Sequence, residues 1–135
     1  MSAGKHVVIS LSTSAFEQRL RAALWSVTAA SVGESVTLFL SGEALKLFCE
    51  GTFGRGDGSP SESRIAETAS RLGLPDPSEL LSQARQLAPV RIIGCPTEIA
   101  LAGLTEEKAR ERLDEVVTLP SFWREAAGAR WLTLP

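Results

Sequence analysis

Few side chains in this sequence are suited to covalent or acid–base chemistry: two cysteines, Cys49 and Cys95, and a single histidine, His6. Cys95 stands out by position. In "VRIIGCPTEIALAGL", Val90 to Leu104, it falls where an apolar, β-branched run ends and helical spacing begins. The proline after it favours a first helical position and pushes the preceding residue into extended geometry, so Cys95 is expected to be a helix N-cap. Its sulfur then lies near the free amides of Thr97 and Glu98, and those amides with the helix dipole favour the thiolate. The Thr97 hydroxyl adds a donor, whereas the Glu98 carboxylate opposes the charge. Cys49, inside "LKLFCE", reads instead as a small buried hydrophobe.

The elements that would position these groups follow from apolar spacing. "HVVISL" (His6 to Leu11), "SVTLFL" (Ser35 to Leu40), "VRIIG", "EVVTL" and the terminal "RWLTLP" read as strands. Between them lie helical patterns. "SAFE" offers a capping box with Ser14 as N-cap and Glu17 three positions on, and Gly33 ends the helix it starts. "GEALKLFCEG" is a short helix closing at Gly51. "SPSE" and "DPSE" start two further helices, capped by Ser59 and Asp76, and "LTEEKARERLDE" starts another at Thr105. "SFWREAAGA" is the last. The glycine-rich segment Gly51 to Ser63, within which the Ser59 cap lies, is expected to be a mobile loop; it holds neither a Walker loop nor GxGxxG.

Strands apolar on both faces and alternating with helices predict one three-layer α/β/α domain over residues 1–135, with a mostly parallel five-stranded sheet. Sites in such sheets gather at the carboxyl ends of the strands. That edge is expected to collect Ser12, Thr13 and Ser14, then Ser41, Gly42 and Glu43, then Cys95 to Glu98, and Pro120 to Trp123. His6 begins its strand, so it belongs at the opposite edge, roughly 15 to 20 Å away. A Cys–His pair needs hydrogen-bond reach, so a triad-type cysteine hydrolase is disfavoured by geometry.

Bulk properties narrow the classes further. A chain of 135 residues suits a single core. A formal charge of −2, with basic residues scattered, gives no electrostatic footprint for nucleic acid. No apolar run reaches the ~18 residues that span a bilayer, and no signal peptide is evident, so a cytoplasmic protein is expected. Two cysteines make no disulfide framework, and the spacing suits no metal site. On the first helix, Ala22, Trp25, Ala29 and Val32 form a second apolar stripe opposite Phe16, Leu20 and Leu24. It predicts a homo-oligomer interface, unless a further helix or the C-terminal tail covers it.

The strand–helix order, "VTLFLSGEALKLF", "VRIIGCPTEIALAGLTEE" and the later "VTLPSFWREAAGA" together resemble the DsrE/DsrF-like family of small α/β proteins linked to sulfur transfer. The resemblance implies Cys95 as a persulfide carrier working between sulfur-relay partner proteins, and assembly into trimers or hexamers.

Two readings follow. In the first, Cys95 is the nucleophile of a sulfur carrier or sulfurtransferase, with Ser12, Ser14, Glu43, Thr97, Glu98 and Trp123 as the surrounding binding residues and no cofactor or metal. In the second, the chain is a non-catalytic oligomeric module that binds a small ligand or a protein, and Cys95 is structural.

Overall fold

The computed structural model describes residues 5–56 and 58–135; residues 1–4, and Asp57 within the glycine-rich segment, lie outside the described residues. Along the chain run β1 (His6–Leu11), α1 (Phe16–Ser31), β2 (Ser35–Leu40), α2 (Gly42–Cys49), α3 (Pro60–Arg71) and α4 (Pro77–Leu87). They are followed by β3 (Val90–Gly94), α5 (Pro96–Leu101), α6 (Glu106–Arg110), β4 (Glu115–Val116), α7 (Leu119–Glu125) and β5 (Arg130–Leu134). All strand pairs are parallel, and the sheet order is β4-β3-β2-β1-β5.

That order decides how the two faces are covered. From β1 to β4 the chain steps in one direction across the sheet, so right-handed crossovers place α1 to α6 on one face. The return from β4 to β5 runs the other way and puts α7 on the opposite face. The larger core accordingly takes Val7, Ile9 and Leu11 of β1, with Val36, Leu38, Leu40 and Ile92. Alternate residues point the other way. Val8, Phe39 and Ile93, with Cys95, Val117, Phe122 and Ala126, form a second, smaller cluster under α7.

A seven-residue helix is too short to persist on its own. What holds α7 is packing. Phe122 stacks on Phe39 with ring centroids 4.6 Å apart, and Ala126 is buried beside it. An offset aromatic pair contributes about 0.5–1.5 kcal/mol beyond its buried area.

Most helix starts obey local chemistry. The side chains of Ser59, Asp76 and Thr105 accept from the amides of Glu62, Glu79 and Lys108. Three boundaries differ from the sequence reading. The N-cap of α1 is Ala15, not Ser14: Thr13 takes the Ala15 amide at 3.1 Å, and the Ser14 carbonyl accepts from Arg19 Nε at 2.9 Å. The strand expected over "EVVTL" stops after Val116, because Thr118 already caps α7 by accepting from the Ser121 amide. The last helix therefore starts at Leu119, ahead of Ser121, and ends at Glu125, where Ala127 and the positive φ of Gly128 take over.

The segment from Gly51 to Gly56 packs onto α1. Phe53 is buried, meeting Phe48 edge-on, and the fully buried Arg19 guanidinium donates to the carbonyls of Phe53 and Arg55. From Pro60 onward the chain is already α3.

Candidate functional site

Cys95 is the N-cap of α5, in extended geometry, and its Sγ accepts the Glu98 amide at 3.4 Å. The local geometry expected from "GCPTE" is therefore present. Its accessibility is not: Cys95 is 0% exposed. Val8, Phe39, Ile93, Val117, Phe122 and Ala126 surround it on the α7 face. The expectation of a solvent-reachable thiolate fails, because the crossover that returns the chain to β5 lays Phe122 and Ala126 over this cluster. Sulfur exchange needs in-line approach of a second sulfur, and this thiol meets apolar side chains instead. Cys49 is also buried, in the other core, and burial pushes its thiol up, with Lys108 and Arg112 opposing and Glu50 reinforcing.

The other edge residues are only partly brought together. Ser12 is exposed; its carbonyl accepts the Ala44 amide and its amide donates to the Leu134 carbonyl. Gly42, at φ +53°, lets α2 begin against this turn, since a Cβ there would stand 2.9 Å from the Ser12 carbonyl oxygen. Exposed Glu43 follows it in the first turn of α2. Half-buried Ser14 holds Arg19 through its carbonyl. Thr97 is exposed and Glu98 half-buried in the first turn of α5, and α2 lies beside α5. Trp123 is elsewhere. It packs at 5.7 Å from Trp131, whose register partner is Val8, so it sits back from the carboxyl edge beside β5.

The second stripe on α1 does not face outward either. Ala22 and Ala29 are buried and Trp25 half-buried; only Val32 is open. α1 lies against α4, β1 and β2, with β5 at the outer edge of the sheet beyond β1. Val7, Trp25, Thr28, Ala29, Val32, Glu34, Arg130 and Leu132 line a groove of about 260 Å³ along that edge.

A polar network unseen in the sequence occupies the opposite end. His6 Nδ1 meets Ser35 Oγ at 2.6 Å and Nε2 meets Thr37 Oγ1 at 2.8 Å, so one hydroxyl donates and the other accepts. Arg91 pairs with Glu115 and Glu125 at 2.9 and 3.1 Å. His6, Thr37, Arg91 and Glu125, with Val8, Phe122 and Ala126, line a cavity of about 180 Å³. Burial pushes His6 below the usual histidine value, Arg91 lowers it further, and Glu125 opposes. The signal was faint in the sequence: a His, a Ser–x–Thr and an Arg at the starts of three separate strands. As the strand direction required, His6 lies at the amino edge, away from Cys95.

Among the described residues no cluster of three or more His, Cys, Asp or Glu is arranged to hold a metal. No helix among them is long and apolar enough to cross a membrane. Large apolar groups are left open on both sides of the sheet: Val32, Leu72, Leu87 and Leu101 at the ends of α1, α3, α4 and α5, and on the thinly covered side Trp123, 70% exposed, and Trp131, 40% exposed, with Leu119 in α7. Neither the models of known protein families nor the curated proteins match this chain.

Proposed function

We propose that the chain is a non-catalytic, homo-oligomeric α/β binding module that contacts protein partners through the α7 face, with Cys95 as a structural cap. One contrast carries this reading: the thiol is sealed, whereas two tryptophans whose rings lie 5.7 Å apart stand open above the sheet. Exposed Trp is enriched among the residues that anchor protein interfaces. Two unpaired buried thiols suit a reducing cytoplasm.

The sulfur-carrier reading keeps one supporting observation, the amide of Glu98 on the Cys95 sulfur. In that reading the chain is a DsrE/DsrF-like sulfurtransferase, and α7 lifts so that a relay partner reaches Cys95, with Ser12, Ser14, Glu43, Thr97 and Glu98 around the opening.

Intact mass spectrometry of the native protein after incubation with polysulfide separates the two. The module reading predicts an unchanged mass. A gain of one sulfur that disappears in Cys95→Ser overturns it in favour of the carrier.

A further inference from the structure

The sheet has two edges of very different character. β4 has only two residues, Glu115 and Val116, and Arg91 of the next strand reaches Glu115, so this edge is short and charged. Edges of that kind resist pairing with another strand. β5 is the opposite: five residues, "RWLTL", ending at Leu134 and, among the described residues, bonded on one side only, to β1.

Strand geometry fixes which of its backbone groups are open. The Leu134 carbonyl accepts the Ser12 amide, so Leu134 faces β1; by the alternation of a parallel ladder, Leu132 and Arg130 do too. The N–H and C=O groups of Trp131 and Thr133 therefore point away from the sheet. Both sides of this edge are apolar. One face carries the groove of Trp25, Val32 and Leu132, the other Trp123 and Trp131. The one charge on the strand, Arg130, is paired with Glu34.

We infer that β5 pairs antiparallel with β5 of a second copy about a two-fold axis centred on Leu132. This rests on the binding-module reading only in that both expect association; the strand edge stands without it. The register is the one that uses every open group: Trp131 opposes Thr133 of the partner and Thr133 opposes its Trp131, each pair exchanging both N–H···O bonds. Leu132 then faces the partner's Leu132, next to the two apolar grooves. The Trp123–Trp131 pairs of both copies fall together on the other side of one continuous sheet. The two Arg130 side chains lie at opposite ends of the paired segment, so no like charges meet. A self-complementary edge of this kind is an isologous interface, closed at two copies.

Thr133→Pro tests it. The Thr133 N–H points away from β1 and has no partner among the described residues, so proline there removes nothing from the β1 ladder, yet it deletes one donor from each copy. Sedimentation equilibrium of the full chain should show a dimer for the wild type, and association weakened by about 100-fold for Thr133→Pro. Thr133→Val, which keeps the N–H, should still dimerise. A wild-type monomer at every micromolar concentration, or an oligomer that Thr133→Pro leaves intact, overturns the inference. Should Thr133→Pro not fold, amide exchange in the wild type decides. Slow exchange at Trp131 and Thr133 that quickens on dilution supports the pairing, and fast exchange at high concentration refutes it. Failure here leaves the sealed thiol untouched, and a reactive Cys95 leaves this edge untouched.

Discussion

His6 shows how one residue couples the sheet's amino edge to pH. It is held between Ser35 and Thr37, with Arg91, Glu115 and Glu125 gathered close by. Burial and the Arg91 cation favour its neutral form in the folded protein, although Glu125 pulls the other way. As pH falls through about 6.5, the unfolded chain binds a proton that the folded chain still refuses. Stability therefore drops with pH in that window, and the drop from this residue ends once folded His6 itself protonates. His6→Gln keeps hydrogen-bonding atoms but does not titrate. Denaturant melts between about pH 7 and 5 should show a shallower loss for His6→Gln than for the wild type. Equal slopes would mean that His6 is not the titrating group. The sequence carried only a faint signal of this network, because His6, Ser35, Thr37 and Arg91 belong to three strands that meet only through lateral pairing. The Cys95 cap, by contrast, was legible, because Cys-Pro-x-Glu is a local pattern and local geometry obeyed it.

At the scale of elements, what the sequence could not show was what covers Cys95. The strands β1, β2 and β3 were readable to the residue, since each β-branched run is bounded by polar, glycine or proline residues. The stretch "EVVTLPSFWREAAGA" was not. Its apolar run continues past Val116, while Thr118 and Pro120 already carry the start of a helix, and the helix signal won. That shift brings Phe122 into contact with Phe39 and places it in the cluster that encloses Cys95. For the α1 stripe, the alternative of cover from within the same chain fits Ala22 and Ala29, which are buried, while Val32 stays open. If α7 is the seal, loosening it must free the thiol. Phe122→Ala is expected to cost about 3–5 kcal/mol of stability, as buried aromatic truncations do. It should also speed alkylation of Cys95 more than that of Cys49, which lies in the other core. Equal acceleration of both, measured by peptide mapping of labelled protein, would show global loosening and deny α7 a specific role.

For the whole molecule, the sheet order distributes function unevenly. Six helices cover one face among the described residues, and the other receives one short helix, leaving Trp123 and Trp131 open and β5 unpaired at its outer edge. In the proposed binding-module reading, exposed apolar surface serves contacts with other chains, while Cys95 is kept from solvent. Native alkylation tests that claim most directly: iodoacetamide is added to folded protein and, separately, to protein in denaturant, and label on Cys95 is followed with time. The account predicts that Cys95 stays unlabelled in the folded protein while it labels fully in denaturant. Labelling of folded wild-type protein at the rate of a free, solvent-exposed thiol would contradict it.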